Sequence, residues 1–425
     1  MKGFLYYIWK NRLLPDSGLH TADGTKLEII SYGQPGERDN IFENVKIRVG
    51  DKEQCGNVVL LQKSAADERA TNGKAILHIK AKENSDESVC STHVTCDIPG
   101  LFLTLPHGLE SEYSKAEQQQ QCLQCENIIG SISKIEMSSF LSRLAVERIE
   151  EKANGIMHTF SLCNNLWDDT LFKTIARSFG FGIQSNVFEK WARNLDMNAL
   201  GKHRDNLLQI EAIMFGQAGL LCEESIPHYY LKEAQGSTYY KEISREYRFL
   251  KNKFGLQEID HKEWNCGNAS PHVRIARLAA LYSTRRIGIS AIMACDTASE
   301  YCNIIDTTPT GYWHNHTCLG GTETTGNGGM KQRQLDVIII NAVVPTLYIY
   351  GKHRNNSAIC SKAEDLLYHI KAEENSIVKK WKEKGVTVEC AADSQAIIQL
   401  EKMYCRTCNC TKCRIAYHYI KDCLR

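Results

Sequence analysis

Four cysteines fall within nine residues near the end of the chain, Cys405-Arg-Thr-Cys408-Asn-Cys410-Thr-Lys-Cys413, and His418 and Cys423 follow closely. Thiolates at this density point to metal chemistry, because soft sulfur ligands suit zinc and iron–sulfur clusters. Two Cys-x-x-Cys pairs with one residue between them cannot easily wrap a single tetrahedral ion, since zinc sites place more chain between the pairs. Structural zinc is the first expectation. Cys405, Cys410 and Cys413 also carry the Cys-x4-Cys-x2-Cys spacing of plant-type ferredoxins, with Cys423 later, so an iron–sulfur cluster is the second. Reduced thiols that merely pack are the third. Cys122-Leu-Gln-Cys125 is a further pair. No thioredoxin-like βαβ pattern surrounds it, so it reads as incidental or as a source of another ligand.

Other side chains suggest weaker sites. His272, Arg274 and Arg277 open a helix after Pro271, and the two arginines share a helix face. With Arg285 and Arg286 they could bind phosphate through their forked donors, or could be paired on a solvated face. His314 and His316 lie two apart beside Trp313, a spacing that would put both on one strand face as metal ligands. They sit in a Gly/Thr-rich loop from Thr307 to Gly329, and a loop of that length suggests function or mobility. It lacks the Gly-Lys-Ser/Thr ending of a phosphate-binding P-loop. Asn341, inside an apolar run, needs a hydrogen-bond partner and is expected to find one on a neighbouring helix end. Asp393-Ser394-Gln395 reads as an N-cap cluster before Ile397.

The elements that must position these groups have two textures. Up to about residue 105, short β-branched runs begin at Leu27, Val45, Asn57 and Ala75, separated by turn signals such as Gly33 and Gly50. An amphipathic helix precedes them. A linker is expected over 106–136, and from 137 to 404 apolar residues recur at helix spacing. The fold class is therefore α+β: a small α/β domain at 1–105, a large irregular all-α domain, and a Cys-rich tail at 405–425. The chain has 425 residues, 43% hydrophobic and 24% charged, enough for two or three globular domains. Lys plus Arg is 51 against 50 for Asp plus Glu, so any nucleic-acid binding must come from a local patch. The start shows no secretory pattern, and the longest apolar run, Val337 to Tyr350, is short for a membrane span. A cytoplasmic protein with no membrane association, whose cysteines are mostly reduced, is expected.

Several stretches together resemble a known family. They include Tyr7-Ile-Trp9, Gly56-Asn-Val58, Ile76-Leu-His78, Phe179-Gly-Phe-Gly182, Lys202-His-Arg-Asp205 and Phe215-Gly-Gln-Ala-Gly-Leu220. Pro271 to Ala276, Ala392 to Ala396, Cys405, Cys410 and Cys413 extend the match. The family is the uncharacterised one, found mainly in Bacteroidetes, numbered twenty-eight fifty-one among domains of unknown function. The resemblance implies that Cys408 is spare and that the fourth metal ligand is Cys423, His418, Cys122 or Cys125.

It also implies an N-terminal part similar to a PD-(D/E)xK nuclease core. There two carboxylates on adjacent strands would hold Mg²⁺ against a phosphodiester. This sequence departs at those positions: Ile41 stands for the Asp, Val59 for the Glu and Leu61 for the His. Only Asp39 or Glu43 could substitute from nearby. The expectation is a degenerate, catalytically inactive nuclease-like protein binding nucleic acid or a protein partner. An enzyme with its site around His272, His314 and His316, and a structural or assembly protein, are the alternatives.

Overall fold

The computed structural model describes residues 3–14, 18–36, 40–61, 75–83, 98–105, 108–123, 125–182, 184–264, 271–284 and 286–424. The chain divides into two compact units. One combines Met1–Phe140, Lys380–Val386 and Ile398–Arg425; the other combines Leu141–Lys379 with Thr387–Ile397. The cysteine-rich tail thus belongs to the same unit as the N-terminal sheet.

In the first unit, strands β1 (Leu27–Ser31), β2 (Gln34–Pro35), β3 (Ile41–Val49), β4 (Lys52–Leu61), β5 (Ala75–Glu83) and β6 (Gly100–Leu105) form one mixed sheet. Its order is β1-β3-β4-β5-β6, with β2 paired to β3. β3 and β4 run antiparallel, whereas β5 and β6 are parallel to β4. Period-two alternation explains β3, where Val45 and Ile47 are buried and Lys46 is exposed. Phe42 and Val45 are both buried although three apart. The register shifts between them and Asn44 takes φ 57°, so a β-bulge returns the buried face to the core. Gly33 permits the neighbouring turn: its φ is +66°, and a Cβ there would lie 2.1 Å from the Glu43 carbonyl oxygen.

The N-terminal helix Phe4–Lys10 buries Phe4, Tyr6, Tyr7, Ile8 and Trp9. It is a core helix more than a surface one. The expected linker 106–136 contains a helix, Leu109–Glu117, that buries Leu109, Tyr113 and Ala116, and a 3-10 segment, Cys125–Ser131.

The second unit is helical, as the 3.6-residue periodicity predicts, but it is more broken. The stretch from 357 to 384 forms two helices, Ser357–Tyr368 and Ser376–Glu383. Asn375 Oδ1 accepts from the Val378 amide at 3.0 Å, a cap that starts the second helix afresh. The run from Gln332 to His353 is continuous for 22 residues, longer than expected and long enough to cross a membrane. It is 72% buried over its apolar window, as a core helix is. A π-helical turn, Ile339–Val343, interrupts it just before Pro345, which has no N–H to donate back to Asn341. Asn341 Nδ2 does not reach a neighbouring helix. It donates to the Val337 carbonyl one turn back, at 2.8 Å. Asp393 and Ser394 lie inside the helix Ala391–Gln399, not before it. Asp393 reaches back to cap the Glu389 and Cys390 amides at 2.9 and 3.2 Å.

Candidate metal centre

Two segments of the first unit, far apart in sequence, meet at the cysteines. Cys122 follows the helix Leu109–Glu117, and Cys125 opens the 3-10 segment behind it. Cys405 closes a π-helical turn, Cys410 begins a 3-10 turn, and Cys413 caps the final helix, Arg414–Cys423. Cys122, Cys125, Cys405, Cys410 and Cys413 line one cavity of about 250 Å³. Cys122 Sγ donates to the Cys405 carbonyl at 2.6 Å and lies 2.8 Å from Cys408 Sγ. The Leu123 amide donates to Cys410 Sγ at 3.4 Å.

Burial and mutual repulsion hold these thiols in their protonated form. Burial, then the neighbouring Cys413 and other groups, push the Cys405 thiol up to about 12. Cys125 is raised by burial and then by Cys413, Cys410, Cys405 and Cys122. Thiolates that oppose one another's ionisation are what a bound metal would stabilise together. Lys380, Lys384 and Arg406 also line the cavity and add positive charge at its rim. Lys380 Nζ and Trp381 Nε1 both donate to the buried Glu401 carboxylate, at 3.1 and 3.0 Å, and so fix that wall.

The size of the chamber bears on what it could hold. A single zinc at ~2.3 Å from each thiolate keeps all four sulfurs within ~4 Å of one another. Among the described residues, no three His, Cys, Asp or Glu side chains converge tightly enough to hold one ion. Cys423 stands at the end of its helix beside Tyr419 and Glu112 and is not among the lining residues. His418 faces Glu136, with Nε2 3.8 Å from Oε1.

Among the described residues, the remaining sequence candidates do not assemble into an open site. Ile41 and Val59, the positions at which the resemblance would expect carboxylates, are direct partners across the β3–β4 ladder, and both are apolar. Val59 and Leu61 are buried, and Glu43 is exposed; Asp39 lies outside the described residues. Arg274 donates to the Phe179 carbonyl at 3.0 Å and to Gln184 Oε1 at 2.7 Å, with its guanidinium over the Phe188 ring. Arg277 donates to the Thr307 and Gly328 carbonyls at 2.8 and 2.6 Å. Both arginines tie backbone together instead of forming a phosphate patch, and Arg285 lies outside the described residues. His272 is buried against Phe215 and Trp313, and burial holds it down at about 4, hence neutral. His316 stacks on Tyr312 at 3.9 Å, while His314 is exposed.

Two features escaped sequence reading. Glu211 is buried in the apolar helix Leu207–Gln217 and accepts from Tyr239 Oη at 2.8 Å. A charged residue inside an apolar run was the available signal. The second feature is a cleft of about 980 Å³ in the helical unit, lined in part by Asp169, Lys173, Lys202 and Arg204. Burial raises Asp169 and lowers Lys173, whose Nζ donates to the Arg193 carbonyl at 3.0 Å. Of these, Lys202 and Arg204 belong to the Lys202-His-Arg-Asp205 stretch that carries the family resemblance.

Fold and site together define an α+β protein with a cysteine-lined chamber in its sheet-bearing unit. The chain belongs to the family described as Protein of unknown function (DUF2851), whose pattern matches residues 2–376. The match includes Cys122 and Cys125 and stops before the cysteines of the tail. No curated protein and no solved structure matches the chain.

Proposed function

We propose that this chain is a non-catalytic, nuclease-like protein that holds an iron–sulfur cluster through Cys125, Cys405, Cys410 and Cys413. The observation that carries the reading is the single chamber lined by cysteines from segments more than 270 positions apart. The Cys-x4-Cys-x2-Cys spacing of the tail, with no three ligands among the described residues close enough for a single ion, favours a polynuclear centre over the zinc ion that the tail suggested by itself. Cys125 is the fourth ligand in place of Cys423, because it shares the chamber with the other three. The non-catalytic part rests on Ile41 and Val59, which have no oxygen to offer Mg²⁺.

Protein purified without oxygen is expected to absorb in the visible near 400 nm and to contain iron and acid-labile sulfide in similar amounts. Replacing Cys125, Cys405, Cys410 or Cys413 by serine should remove both, whereas C423S should keep them. One zinc per chain, or no metal, overturns the reading. DNA and RNA are expected to stay uncut with magnesium or manganese. Cleavage that disappears on replacing Asp39 or Glu43 would refute the non-catalytic half.

A further inference from the structure

Cys122 and Cys408 stand apart from the proposed ligand set. Their sulfurs are 2.8 Å apart. That is well inside the ~3.5–4 Å of ordinary packed atoms. The two residues share an anchor: the Cys405 carbonyl accepts from Cys122 Sγ at 2.6 Å and from the Cys408 amide at 3.2 Å. Cys408 has φ 49°, a left-handed conformation that residues other than glycine rarely adopt. The bond from the Asn409 amide to the Tyr404 carbonyl, 2.8 Å, helps to hold that turn. The backbone therefore carries Cys408 to Cys122 and away from the run of ligands on either side of it.

We infer that Cys122 and Cys408 are a redox-modification site, a thiol pair that closes to a disulfide across the edge of the metal chamber. The oxidant is a small-molecule disulfide. The Cys408 thiolate attacks it, forming a mixed disulfide and expelling one small thiolate. Cys122 Sγ then attacks the Cys408 sulfur, giving its proton to solvent and expelling the second small thiolate. The two protein thiols lose two electrons and two protons, and the small disulfide gains them as two thiols. The new bond ties together the two segments that wall the chamber, 286 positions apart in sequence. Its consequence, slower loss of the metal, rests on the proposed cluster; the disulfide itself does not.

The test uses the full-length protein with its metal bound, treated with oxidised glutathione. Free thiols are then alkylated and the protein is mapped by mass spectrometry. The expected product is a cross-linked peptide joining Cys122 to Cys408, absent from C122S and C408S. Both variants should keep the wild-type iron content, and the oxidised wild type should release iron to a chelator at least severalfold more slowly. Cross-links from Cys122 or Cys408 to other cysteines overturn the inference. So does continued alkylation of both thiols, and iron lost from either variant would make that residue a ligand. If metal analysis finds no iron, the cluster reading fails while the cross-link map still decides the pair.

Discussion

Replacing Glu211 with glutamine should stabilise the helical unit at neutral pH and remove a defined part of its pH dependence. The side chain is 4% exposed, on a helix that also buries Ile210, Ile213, Met214 and Phe215. Its carboxyl accepts from Tyr239 Oη at 2.8 Å, and Tyr239 Oη accepts in turn from Trp313 Nε1 at 2.7 Å. Burial pushes Glu211 up to about 7, and the Tyr239 hydrogen bond opposes the shift without cancelling it. In the unfolded chain the group returns to about 4.5. Between those values the folded protein keeps a proton that the unfolded chain releases, so stability falls as pH rises and levels off above about 7. At 1.36 kcal/mol per pH unit the full loss is ~3 kcal/mol.

Glutamine has nearly the same shape, accepts the Tyr239 hydrogen and never ionises. Urea unfolding of wild type and E211Q, followed at several pH values from 4 to 8, isolates the term, because other titrating groups cancel in the difference. The two proteins should be nearly equal at pH 4, and E211Q should be ahead by up to ~3 kcal/mol at pH 8. A difference that does not change with pH, or an E211Q protein less stable at pH 8, would refute the reasoning.

His272 should show the opposite slope. Its folded value is depressed to about 4, so its contribution is present above the unfolded value of ~6.5 and is lost as pH falls toward 4, again by ~3 kcal/mol. The same urea series on H272F should lack this acid-side loss; an unchanged slope would contradict it. Arg277→Ala should free the loop 307–329, which loses its bonds at the Thr307 and Gly328 carbonyls. About 2 kcal/mol of local stability should go with them, read as faster limited proteolysis within that loop and contradicted by an unaltered cleavage pattern.

The elements were legible where one physical rule dominated. β3 alternates from Val45 to Ile47 once past its bulge, β4 ends in a continuous buried run from Val58 to Leu61, and both extend further toward the N-terminus than their β-branched runs, while the long helices follow their apolar periodicity. What escaped depended on tertiary partners. No local signal says that Arg274 and Arg277 spend their donors on the Phe179, Thr307 and Gly328 carbonyls. An exposed arginine pair at the same spacing would read identically. His272 beside Trp313 is likewise ambiguous until burial shows a neutral ring between aromatic neighbours. The break between Tyr368 and Ser376 has no proline or glycine to mark it; Asn375 starts the next helix by capping the Val378 amide.

The cysteines show most clearly what spacing can and cannot decide. Within the tail, spacing singles out Cys405, Cys410 and Cys413, and all three line the chamber. It offers Cys423 as the next ligand because Cys423 is near in sequence. A helix of ten residues, Arg414–Cys423, intervenes. At 1.5 Å per residue it carries the thiol ~14 Å along its axis, beyond the reach of a centre that Cys413 would hold at the helix start. Cys125 is nearly three hundred residues away in sequence, yet it faces the same cavity because the tail packs within the sheet-bearing unit. A ligand set closed by chain neighbours would form a zinc knuckle whatever the rest of the fold did. A set closed by Cys125 cannot form until that unit is assembled, so metal binding and folding of the unit must be coupled.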